Sequence, residues 1–104
     1  MNSNSQPVAL ITGAAGGIGS ATALELARTH AVIIIDRDQR ELEKTAALIV
    51  EAGGRPAAFV ADVTDLESVQ RAVKDGQSFL GTISATVACA GVEVQGGVLD
   101  LGLE

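Results

Sequence analysis

The sequence has 104 residues, 47% hydrophobic and 19% charged, which suits one small domain with a buried core and excludes a disordered or low-complexity tail. Seven basic residues against 13 acidic ones give a net charge of -6, a balance unsuited to holding nucleic acid phosphates. One cysteine cannot form an internal disulfide, no apolar run approaches the roughly 18–20 residues of a membrane span, and Met1 to Pro7 lacks the basic and apolar blocks of a signal peptide. The expectation is a cytoplasmic protein with neither nucleic acid nor membrane as partner.

Val8 to Thr12, a short apolar run with β-branched residues ended by Gly13, reads as the first strand. Ile18 to Arg28 is rich in Ala and Leu and reads as a helix. Ala31 to Ile35 is the second strand, and Ile33-Ile34-Ile35 shows no in-out alternation, as a parallel strand buried on both faces requires. Arg40 to Ala52 predicts a second helix with Leu42, Ala46, Ile49 and Val50 on one face, stopped by Gly53-Gly54. Asp38 with Glu41 three residues on resembles a capping box for it. His30 reads as the C-cap of the first helix rather than as a ligand.

Ala57 to Ala61 is the third strand. Thr64 with Glu67 is a capping box, and Leu66, Val69 and Val73 follow at helical spacing until Gly76 interrupts the helix. Ile83 to Ala88 is the fourth strand, with Ile83, Ala85 and Val87 on one face and Ser84 and Thr86 on the other. The order β-α-β-α-β-α-β implies right-handed crossovers and a parallel sheet with helices on both faces, within one domain over residues 1–104.

The chemistry sits between the first strand and the first helix, in Thr12-Gly13-Ala14-Ala15-Gly16-Gly17-Ile18-Gly19. A helix N-terminus has unpaired N–H groups and a partial positive charge, so it attracts phosphate. Glycines let the backbone turn sharply and come close to a pyrophosphate. Asp36 ends the second strand, 23 positions after Gly13 and 17 after Gly19, where a carboxylate can accept hydrogen bonds from the adenosine ribose hydroxyls of a dinucleotide. It would repel a 2′-phosphate, which favours NAD over NADP. Arg37 beside it can stack on adenine or pair with such a phosphate, which pulls the other way. A P-loop is excluded, because Ser20 follows Gly19 with no lysine. The spacing also fits poorly with a methyltransferase turn for S-adenosylmethionine. No metal site has enough ligands at useful spacing.

Thr12 to Gly19 resembles the cofactor turn of the short-chain dehydrogenases/reductases. Asp36-Arg37 resembles that family's second-strand terminus in NAD-preferring members, and Asp62-Val63 its third-strand terminus, where the Asp side chain and Val backbone meet the adenine. Ala90-Gly91 resembles the end of its Asn-Asn-Ala-Gly motif, with Cys89 standing where the motif has asparagine. The resemblance runs from about Val8 to Leu101. It implies an α/β fold, a partial Rossmann-like doubly wound parallel sheet of strand order 3-2-1-4. It also implies cofactor-binding roles for Gly13, Ala15, Gly17, Ile18, Gly19, Asp36, Arg37, Asp62, Val63, Cys89, Ala90 and Gly91.

The family's catalytic Ser, Tyr and Lys lie beyond the fourth strand, and this sequence has no tyrosine, so no catalytic residue is assigned. The expectation is the NAD(P)-binding portion of an alcohol–carbonyl oxidoreductase, truncated before the catalytic segment and inactive by itself. The alternative is a non-enzymatic dinucleotide-binding or interaction module. An open edge on the fourth strand, and an uncovered face including some of Val8, Leu10, Ile33 and Ile35, would lead to self-association or call for a missing C-terminal half.

Overall fold

The structure, a computed structural model, describes residues 6–89. Seven elements alternate: β1 (Val8–Thr12), α1 (Gly17–Leu26), β2 (Ala31–Asp36), α2 (Gln39–Glu51), β3 (Pro56–Val60), α3 (Leu66–Leu80) and β4 (Ile83–Ala88). The strands form one sheet in the order β3-β2-β1-β4, and every neighbouring pair is parallel. The strand order is the expected one.

The continuous apolar run of β2 explains its place. Residues Ala31 to Ile35 are all buried, because β2 lies between β1 and β3 and is covered above and below. Alternate side chains divide into two cores. Ala9, Ile11, Val32 and Ile34 pack against Ala23 of α1 and Leu42 and Ile49 of α2. Val8, Leu10, Ile33 and Ile35 pack on the opposite face with Ala72 of α3 and Ala61. Each fully buried Ile, Leu or Val contributes about 1.5–3 kcal/mol, so the two faces hold the sheet from both sides. The expectation of an uncovered face carrying Val8, Leu10, Ile33 and Ile35 is therefore overturned: all four are buried in the core on the α3 side.

Several local expectations also give way to tertiary contacts. Gly76 does not interrupt α3, which runs through it to Leu80. It is buried where a Cβ would stand 2.7 Å from Ile33 Cδ1, so the glycine lets the helix lie close to the sheet. Its helix begins one residue later than the capping box implies. Thr64 donates its hydroxyl to Asp62 Oδ1 at 2.7 Å, and Asp65 is the N-cap, accepting the Ser68 N–H at 3.3 Å. The Asp38 cap on α2 forms as expected, accepting the Glu41 N–H at 3.1 Å.

On α2, Val50 is 59% exposed and Thr45 takes a buried position on the helix instead. The strict alternation expected of β4 fails because its register against β1 shifts between Val8 and Ala9. Ser84 occupies the irregularity and donates its hydroxyl to the Val8 carbonyl at 3.2 Å. As a result Ile83 joins the α3-side core while Ala85 and Val87 join the other. The C-cap of α1 is Ala27 rather than His30, whose ring pairs with the Thr29 hydroxyl at 2.8 Å.

Candidate functional site

The C-terminal ends of β1, β2, β3 and β4 open into a cleft of about 370 Å³ lined by Gly13, Gly16, Asp36, Arg37, Ala61, Asp62, Val63, Thr64 and Cys89. In open parallel sheets ligands bind in the crevice outside the carboxyl ends of the strands.

The turn after β1 is fixed by backbone geometry. Gly13 has φ 73°, a left-handed conformation that side chains disfavour, and its N–H and that of Ala14 both donate to the Ile35 carbonyl. Gly19 lies over the same turn: a Cβ there would fall 1.8 Å from the Gly13 carbonyl oxygen, so only glycine lets α1 start this close. Gly17 is different, with nothing within 4 Å of where a Cβ would stand. The N-cap of α1 is Gly16, which offers no side-chain acceptor, and the first turn has no acidic residue. Among the described residues, the N–H groups of Gly17, Ile18 and Gly19 have no hydrogen-bond acceptor. Three unpaired donors on one helix start, beside open space, form an anion-binding arrangement. Ile18 is 69% exposed at this helix start.

Asp36 is half-buried at the end of β2. Its Oδ2 accepts the Ala15 N–H at 3.0 Å and its Oδ1 accepts the Asp38 N–H at 3.0 Å. A carboxylate has about four acceptor positions, so two remain for a ligand. The Ala15 bond ties the carboxylate to the glycine-rich turn, a link the 21-residue separation hides in the sequence. Arg37 is exposed and extends the same rim.

Asp62 follows β3 and closes the far wall. Its Oδ1 accepts both the Thr64 N–H at 2.9 Å and the Thr64 hydroxyl at 2.7 Å. These two bonds, backbone first, hold its carboxyl below the usual carboxylate range, and the Arg37 charge adds to them. The side chain is therefore an anion at neutral pH, fixed in orientation, beside the exposed Val63. Cys89 also lines the cleft, its N–H bonded to the Thr12 carbonyl at 2.9 Å and its side chain against the α1–α2 core.

Six of the residues singled out from the sequence thus line one cleft: Gly13, Asp36, Arg37, Asp62, Val63 and Cys89. Ala15, Gly17, Ile18 and Gly19 belong to the adjoining turn and helix start. Ala90 and Gly91 lie outside the described residues. Gly16, Ala61 and Thr64 were not among the site residues read from the sequence, and neither was Thr45, whose hydroxyl reaches the Ala14 carbonyl of the turn at 3.2 Å. No group of three or more His, Cys, Asp or Glu suited to a metal ion occurs among the described residues, and none of their helices is long and apolar enough to cross a membrane.

A family profile described as short chain dehydrogenase matches residues 7–104. The short-chain reductase protein NovJ of Streptomyces niveus is 39% identical over 98 residues, 93% of this chain and 37% of its own length. The short-chain dehydrogenase/reductase homolog YusS of Bacillus subtilis is 36% identical over 87 residues, covering 82% of this chain and 80% of its own. Among solved structures, carveol dehydrogenase from Mycobacterium avium in complex with NAD superposes with a TM-score of 0.78 at 29% identity, over 90% of this chain and 42% of that one. The chain thus spans about a third of the length of NovJ, and most of the length of YusS.

Proposed function

The chain belongs to the short-chain dehydrogenase family, and from that premise we propose that it is the NAD-binding part of an alcohol–carbonyl oxidoreductase. The observation that carries this reading is the set of unpaired N–H groups on Gly17, Ile18 and Gly19 at the mouth of a cleft whose other side is the Asp36 carboxylate. Backbone donors on a helix N-terminus suit a pyrophosphate, and the open space at Gly17 admits it.

The two acceptor positions left on Asp36 suit a ribose diol, and its charge disfavours a 2′-phosphate, so NAD is the preferred form over NADP. Asp62, anionic and oriented by Thr64, would accept from the exocyclic amine of adenine, with Val63 beside it; its two bonds from Thr64 support this reading. With the dinucleotide bound, its nicotinamide would supply the two-electron oxidation or reduction of the family. The 104 residues contain no tyrosine, so the family's proton donor is not among them and turnover is not expected of this chain by itself.

Calorimetric titration with NAD and with NADP tests the reading. NAD should bind more tightly, and Asp36→Ala should weaken it by about 1.5–3 kcal/mol, the scale of hydrogen bonds to a charged group. Tighter binding of NADP would show that the role given to Asp36 is wrong.

A further inference from the structure

Thr45 is buried, with 2% exposure, on a helix none of whose residues lines the cleft. Its Oγ1 lies 3.2 Å from the Ala14 carbonyl oxygen and 3.3 Å from that of Glu41. One hydroxyl proton cannot fully serve both. Glu41 precedes Thr45 by four residues within α2, so the helix ladder already supplies its carbonyl with a donor. The Ala14 carbonyl, on a residue with no exposure, receives no other hydrogen bond among the described residues. Removing the hydroxyl would leave a buried acceptor unpaired, so the proton belongs to Ala14.

The next atom along the chain is also held. The Ala15 N–H, the other end of the same peptide unit, donates to Asp36 Oδ2 at 3.0 Å. One peptide group is thus gripped at both ends, its C=O by α2 and its N–H by the end of β2. The grip falls inside a turn containing Gly13, Gly16 and Gly17, whose backbone has little conformational preference of its own. Two residues later the chain enters α1, whose first N–H groups would meet the pyrophosphate.

We infer that Thr45 is a positioning residue of the dinucleotide turn: with Asp36 it clamps the Ala14–Ala15 peptide and so sets the direction of the Gly17, Ile18 and Gly19 donors before any ligand arrives. The inference rests on the dinucleotide reading above, and assigns Asp36 a second task besides meeting the ribose. A turn ordered in advance spares the ligand the entropy of ordering it, so loss of the clamp shows as loss of affinity without loss of any direct contact.

The test compares wild type, Thr45→Val and Thr45→Ser by amide hydrogen exchange without ligand and by calorimetric NAD titration. In the wild type the Ala15 amide should exchange slowly. Thr45→Val should speed exchange at Ala15 while the amide of Ile34, inside β2, keeps its protection. It should also weaken NAD binding about fivefold to tenfold, the scale of one net hydrogen bond's worth of ordering that the ligand must then supply. Thr45→Ser, which keeps the hydroxyl, should restore both.

Equal acceleration at Ala15 and Ile34 would mean general destabilisation and would overturn the clamp. So would unchanged NAD affinity in Thr45→Val, given a wild type that binds. If Thr45→Val does not fold, an Ala15 amide that exchanges in wild type as fast as a free loop amide overturns it equally. The exchange measurements need no dinucleotide, so failure of NAD to bind refutes the functional reading and leaves the clamp separately tested.

Discussion

Replacing Gly76 with alanine sets two effects of known size against each other. An interior helix position gains about 1 kcal/mol when glycine becomes alanine, because the unfolded chain loses freedom. Here the new methyl would stand 2.7 Å from Ile33 Cδ1 and 2.9 Å from both Cγ1 and Cγ2. Cδ1 is a flexible end, but the two γ carbons are fixed to a branched Cβ on a strand residue with no exposure, so they cannot simply turn away. Overpacking of a tight core costs about 1–3 kcal/mol. The steric cost wins, and Gly76→Ala should be destabilising by up to about 2 kcal/mol net.

Urea unfolding followed by far-ultraviolet circular dichroism reads this directly. Ile33→Val costs about 0.5–1.5 kcal/mol alone. In the Gly76→Ala background it removes one of the three close contacts, so the double variant should be more stable than the sum of the singles by at least about 0.5 kcal/mol. A stabilising Gly76→Ala, or strict additivity with Ile33→Val, would refute the packing role of this glycine.

Gly17→Ala should leave the thermal midpoint near that of wild type, since nothing lies within 4 Å of the added carbon, yet it should block NAD by filling the pyrophosphate space. Gly19→Ala should prevent folding, with a contact of 1.8 Å to the Gly13 carbonyl; a folded, NAD-binding Gly19→Ala chain would disprove the close approach. Asp65→Ala should cost about 1 kcal/mol in urea as an N-cap loss. Asp62 has its pKa lowered by Thr64, so its contribution to stability is present above its ordinary value of 3.8 and is lost as pH falls through the folded-state value. Wild type should therefore lose more stability between about pH 5 and pH 2 than Asp62→Asn does, as measured by urea midpoints across that range.

The alternation of strands and helices and the place of the cleft were legible because they depend on short-range signals, whereas the strand order followed from the family resemblance. The unbroken Ile33-Ile34-Ile35 run marks a strand covered twice, and the glycine turn and Asp36 line one crevice at the strand ends. What the sequence hid depends on partners far along the chain. Thr45 occupies a position where helical periodicity asks for an apolar residue, and only the Ala14 carbonyl, 31 positions earlier, explains a hydroxyl there. Gly76 carries the local signal of a helix breaker, which Ile33 overrides by needing the space. The shift in β4 adds one residue to a period-two pattern, and the pattern alone does not reveal the insertion at Ser84. Thr64 and Asp65 are both capping types; the choice falls to Asp65 because Asp62 engages the Thr64 hydroxyl.

Dinucleotide binding at this cleft is tested most directly by titrating the nitrogen-15-labelled chain with NAD and following its amide resonances. The expected result is saturable shifts at Gly17, Ile18 and Gly19 together with Asp36, Arg37, Asp62 and Val63, and little change along the outer face of α3 at Gln70, Lys74 and Ser78. Saturating NAD that leaves Gly17, Ile18 and Gly19 unmoved, or that shifts the α3 face instead, would contradict it.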